Sequence, residues 1–292
     1  MLRPHFPSPL AGVSLVVAAW RLTMMGIALQ VGTTSAQQGM DLGGIGIAMA
    51  IALGLAATLA ARRVPEPQAL RLGLVGFSSR FVPMLLLLLP FVVVASEIDN
   101  WVAWFLPPTD LDELRKAVEE ARANDTALSI AQRAIFLVGI QPVVVEWLLR
   151  GVVQQGAIAY LGRLSGVGFT AVVGLGTIAL GSGSMSSALL SVLAGALLGV
   201  VRVATGSLLA PIVLHMGWSA LGVLAVTFAD ELPIPGLNQL DGSFTSPVLL
   251  LASVASVAFG LVLVARALPE QPVVIPVEPD REKDDDERGG WF

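Results

Sequence analysis

The sequence predicts an all-α integral membrane protein, a bundle of about eight transmembrane helices. Three observations carry that expectation. Only 13% of the 292 residues are charged and 55% are hydrophobic, where soluble domains carry roughly 25% charge; the mean hydropathy is +0.78. Apolar runs of about 20 residues, long enough to cross a bilayer as helix, recur along the chain. The acids gather mostly in one connection and in the C-terminal tail, so the net charge of −5 argues against a nucleic-acid partner. Membrane lipids are the expected surroundings, with a membrane protein or peptide as a possible partner. With no cysteine in the chain, disulfides, thiolate chemistry and cysteine-based metal sites are excluded. No cofactor is expected.

The candidate spans fall at about 9–32, 41–61, 76–95, 133–160, 166–183, 186–204, 207–228 and 246–268. They define a membrane domain over 1–268. The first run begins soon after Arg3 and is long enough to span, so it reads as a signal anchor rather than a cleaved leader. The fifth and sixth are nearly continuous, divided by GSGSMSS (181–187), a tight turn or a broken helix. Within the third connection, 96–132, lies TDLDELRKAVEEARAND (109–125). Thr109 can cap a helix whose Leu111, Leu114, Val118 and Ala121 share one face. Arg115–Glu119 and Lys116–Glu120 are favourable i,i+4 neighbours. An amphipathic helix over about 109–123 is expected on the outer membrane surface, as a lid or as a solvated connector. The tail, 269–292, is proline-rich and then acidic, and is expected to be disordered.

Lys and Arg set the orientation. Arg62, Arg63 and Arg71 fall in the second connection, Arg163 in the fourth, Arg202 near the sixth span and Arg266 beside the last. The first, fifth and seventh connections carry none. Both termini are therefore expected in the cytoplasm. The Ala/Gly/Val/Arg-rich composition suggests a bacterial inner membrane.

Between Thr126 and Ala229 there is one carboxylate, Glu146, and one histidine, His215. Arg133, Arg163 and Arg202 sit near span ends, where they can snorkel to the interface. Glu146 and Arg150, in VVVEWLLRG (143–151), sit near the middle of the fourth span. A charge at the bilayer centre costs about 2.5–3.5 kcal/mol on insertion scales, and arginine cannot shed its charge. Arg150 therefore needs a partner, and Glu146 lies four residues back on the same face. Two readings stand: a self-neutralising ion pair, or a polar site lined by that face. Pro142, one turn earlier, offers a local kink. His215, in SLLAPIVLHMGWSALG (207–222), shares a face with Ser219.

These motifs resemble the CPBP family of intramembrane endopeptidases, also called the Abi or type II CAAX prenyl protease family. The resemblance covers about 130–228. EWLLRG (146–151) is similar to the family's E-E-x-x-x-R-G, and TGSLLAPIVLHMGWSAL (205–221) to its T-G-S…H-x-x-x-N. The resemblance implies hydrolysis of peptides within the membrane, with a glutamate and histidines activating water and an asparagine holding the oxyanion. The chain departs from the pattern at three points. The first glutamate of the pair aligns with Val145. The region expected to carry a second histidine, about 177–186, reads TIALGSGSMS. The closing asparagine becomes Ser219. Position 145 points about 100° around a regular helix from 146, and a base must come within about 3 Å of its water. A catalytic zinc needs about three protein ligands, and the span residues do not supply them.

The expectation is thus a catalytically degenerate member of that family, acting as a binding or scaffold protein. Two alternatives remain. One is an active endopeptidase with a nonstandard site, Glu146 as acid/base, His215 as its partner, Arg150 as orienting charge and Ser219 as polar contact; Ser182 or Ser184 paired with His215 would be a further variant. The other is a transporter or assembly subunit in which Glu146 is an ion ligand.

Overall fold

A computed structural model describes residues 6–33, 42–64, 66–106, 126–182, 185–238 and 243–269, with the side chains of 30–33, 42–45, 176–182 and 185–186 excepted. Among the described residues every regular element is helical. In chain order these are α1 (Pro9–Thr33), α2 (Leu42–Ala61), the short α3 (Gln68–Leu72), α4 (Val82–Leu88), α5 (Phe91–Phe105), α6 (Ala127–Leu161), α7 (Arg163–Ser182), α8 (Met185–Thr205), α9 (Leu209–Thr227) and α10 (Pro247–Ala267). Six stretches are long and apolar enough to cross a membrane: Pro9–Leu29, Ser79–Phe105, Ala127–Leu161, Ser187–Thr205, Leu209–Thr227 and Pro247–Ala267. Gly46–Ala61 and Arg163–Leu175 are shorter apolar runs, inside helices of 20 residues each. The molecule is a multi-pass, all-α membrane protein.

The helices track the apolar runs, with two differences. The third span, expected to end at 95, continues to Phe105. Glu97, just past the expected end, is buried, and its carboxylate accepts hydrogen bonds from the Thr245 N–H at 2.9 Å and from Asn100 at 3.3 Å. Ser96 and Asn100 both donate to the Gly236 carbonyl at 2.7 Å. A satisfied acid need not end a helix, and this one clasps the connection between α9 and α10. Glu97→Ala is expected to cost about 1–3 kcal/mol, the usual penalty for stranding a buried donor. Faster proteolysis within residues 228–246 would be its sign. Beyond this clasp Trp101, Trp104, Phe105 and Phe244 form an exposed aromatic group, which suits a membrane–water interface.

The second difference is Arg202, expected to snorkel outward. It is 5% exposed and donates to the Leu72 carbonyl at 3.2 Å. The same strap continues through the turn into α9: Leu208 N–H donates to Gly73 O at 2.8 Å and Ser207 Oγ to Val75 O at 2.5 Å. Gly206, at φ 68°, makes the left-handed step that this turn requires. The expected helix over 109–123, the tail beyond 269, and the side chains of 177–186 lie outside the described residues.

Helix α6 runs through the middle, with α1 and α2 on one side and α9 on another. Val145, Leu148 and Leu149 join Val16, Ala19 and Leu53 in one apolar cluster. A second cluster unites α4, α5, α8, α9 and α10 around Leu88, Val201, Leu214 and Trp218. Pro90 has no N–H, so it interrupts the helical bonds between α4 and α5. Nearby carbonyls find donors elsewhere: Trp218 Nε1 reaches Leu88 O at 3.0 Å, and Ser256 Oγ reaches Leu87 O at 2.9 Å. Trp218 thereby fixes α9, the helix that carries the histidine.

Candidate active site

Helix α6 is not a uniform α-helix. Thr126 caps it through a reciprocal pair of bonds with Ser129. Two π-helical turns, Ala134–Ile140 and Trp147–Val153, flank the α-helical stretch Gln141–Glu146. Pro142 contributes no backbone donor and its ring crowds the preceding turn; the first wide turn lies directly before it. Single π turns concentrate at functional sites, and here the second begins immediately after Glu146 and contains Arg150.

Glu146 is fully buried, at 0% exposure. Its Oε1 accepts from Arg150 Nη1 at 3.3 Å and lies 2.9 Å from His215 Nδ1. Its Oε2 lies 3.2 Å from Arg150 Nε, outside hydrogen-bond geometry. Arg150, 3% exposed, turns Nη2 onto the Gly195 carbonyl at 2.8 Å. The His215 side chain keeps 22% exposure. The Glu146–Arg150 pair is intrahelical, and it also faces a histidine from another helix. Ser219 is half-buried and makes no hydrogen bond with a described residue. Val145 is buried in the α1–α2 cluster.

The chemistry of this network comes from its donors and acceptors. A carboxylate oxygen accepts, so where a carboxylate meets a neutral imidazole in this geometry the ring nitrogen at Nδ1 is the donor and Nε2 keeps the lone pair. Glu146 is sealed while the imidazole is partly open. Arg150 holds Glu146, and Glu146 in turn holds the His215 ring. Among the described residues no three His, Cys, Asp or Glu converge, and one carboxylate with one imidazole does not fit a catalytic zinc. A separate apolar cavity of about 200 Å³ opens beside the first π turn, lined by Gly46, Met49, Phe136, Leu137, Ile140 and Val144 among others. Glu146 and His215 are not part of its wall.

Two contacts are not evident from the sequence alone. Gln154 is fully buried and donates Nε2 to the Gly199 carbonyl at 2.9 Å. Gly195 and Gly199 are the two carbonyls that receive Arg150 and Gln154. A signal was nevertheless present: Glu146, Arg150 and Gln154 recur every four residues, and AGALLG (194–199) carries small residues at the same spacing.

The fold and this network define a class: a multi-pass helical membrane protein with a buried carboxylate, guanidinium and imidazole drawn from two helices. Residues 127–221 match the family model of the type II CAAX prenyl endopeptidase Rce1-like proteins. Through this segment, about a third of its length, the chain is similar to the CAAX protease-like family. No curated protein and no solved structure gives a match.

Proposed function

We propose that this protein is a CAAX protease-like membrane protein that binds an apolar or lipidated peptide without hydrolysing it. One observation carries the reading: among the described residues no carboxylate is free to activate water beside His215. Glu146 is fully buried and engaged by Arg150 and His215, and position 145 is a valine packed toward α1 and α2. The apolar cavity beside α6 supports a role in holding an apolar group. The prenylated C-terminal peptide named in the family's description is the natural first probe. The arginine distribution supports cytoplasmic termini, and a bacterial inner membrane fits the composition.

A fluorescent farnesylated peptide ending in a CAAX sequence is expected to bind the detergent-purified protein saturably and to be recovered intact. Recovery of shortened peptide would overturn the non-hydrolytic part. Absence of saturable binding would overturn the ligand. A second reading, an active endopeptidase, is favoured by the 2.9 Å contact of Glu146 with His215, whose side chain keeps 22% exposure. It requires cleavage that disappears in His215→Ala.

A further inference from the structure

We infer that Gln154 is a positioning residue that holds Glu146 against His215 by locking α6 in register with α8. The inference deepens the reading of the Glu146–His215 site and rests on it for its functional meaning, although not for its test.

Helix α8 is the common frame of both halves of the site. His215 stands on α9, which leaves α8 through the short turn at Gly206 and is strapped there to residues 73–75. Glu146 stands on α6, which reaches α8 through two polar side chains. Arg150 Nη2 donates to Gly195 O at 2.8 Å and Gln154 Nε2 to Gly199 O at 2.9 Å. The donors are four residues apart on α6 and the acceptors four apart on α8, where four residues rise about 6 Å. A single arginine is a long side chain that allows its helix to pivot. Two rungs fix both rotation and sliding.

The position of the second rung matters. Gln154 is the first residue after the π turn Trp147–Val153. A π turn closes i→i+5 bonds and holds one residue more than an α turn. Its return to α-helical geometry would rotate Glu146 relative to the C-terminal remainder of the helix. Gln154 anchors the far end of that turn and Arg150 its middle, leaving Glu146 at the near end with one direction to face. Gln155 Nε2 adds a bond to the Arg150 carbonyl at 3.2 Å within the same turn.

The glycines are shaped for these rungs. A Cβ at Gly195 would lie 3.2 Å from Arg150 Nη2 and 3.3 Å from the Ala171 Cα. A Cβ at Gly199 would lie 3.0 Å from Gln154 Oε1 and 2.9 Å from Val167 Cγ1. Gln154 Oε1 is buried and makes no hydrogen bond with a described residue.

The test reads the His215 ring by ¹⁵N NMR in the full-length protein in detergent, with Glu146→Gln as the reference for a broken contact. Gln154→Leu keeps the volume and removes the rung. It is expected to fold, to give a single size-exclusion peak, and to move the His215 Nδ1 signal most of the way to the Glu146→Gln position. A Gln154→Leu protein with a wild-type His215 signal would overturn the inference. If Gln154→Leu does not fold, Gly199→Ala combined with Val167→Ala removes the clash at 167 while still displacing the amide. The same shift is expected there, and a wild-type signal again overturns it. Peptide hydrolysis is read separately. A shifted signal in a protein that binds no peptide sinks the functional reading alone, and an unshifted signal sinks the register lock alone.

Discussion

Arg150→Leu is expected to lower stability by about 3 kcal/mol, the low end of the cost of removing one partner of a buried ion pair. The substitution leaves Glu146 at 0% exposure with only His215 as donor, and it strips the Gly195 carbonyl of its bond from the guanidinium. Protonation of the stranded carboxylate is the escape that keeps the cost from being larger. The pairing is tested by adding Glu146→Leu. If the two groups exist for each other, the double variant recovers much of the lost melting temperature. An unchanged melting temperature in Arg150→Leu would mean that the pair contributes nothing to the fold.

Val145→Glu is expected to be comparably costly and to yield no hydrolysis. Val145 is 6% exposed within the cluster of Val16, Ala19, Leu53 and Leu148. A carboxyl there enters apolar packing that offers it no donor, at a cost of about 3 kcal/mol on insertion scales. Val145→Leu, which adds volume without polarity, is the control and should cost less than half as much. New peptide cleavage by Val145→Glu would mean that this position can turn toward His215 after all, and that one residue separates this protein from an active enzyme.

Much of the fold was legible because lipid imposes simple rules. Apolar runs of the right length became helices, and the Gly/Ser cluster at 181–187 falls where α7 gives way to α8. The misreadings share one cause. The third span was ended at 95, before Glu97, and Arg202 was set near a span end to snorkel, yet both side chains are buried against backbone groups distant in sequence. Pairings at separations above one hundred residues leave no local periodicity. The site was legible in its members: Glu146, Arg150 and His215 stand out as the charged or titratable groups away from span ends. Their unequal burial was not: Glu146 is sealed at 0% exposure while the His215 side chain keeps 22%, a product of tertiary packing that residue types do not encode. The π turns were also invisible, since a widened turn keeps the same residue types as an α turn and differs only in register. Pro142 was the one local sign of an irregular helix.

The central claim is that the site orients an imidazole without activating water. Its most direct measurement is ¹⁸O uptake from labelled water into new peptide C-termini, with purified protein and a mixture of apolar and farnesylated peptides. The account predicts uptake no higher than in His215→Ala. Uptake that is present in the unaltered protein and vanishes in both His215→Ala and Glu146→Gln would contradict it, and would make the Glu146–His215 pair the working centre of an endopeptidase.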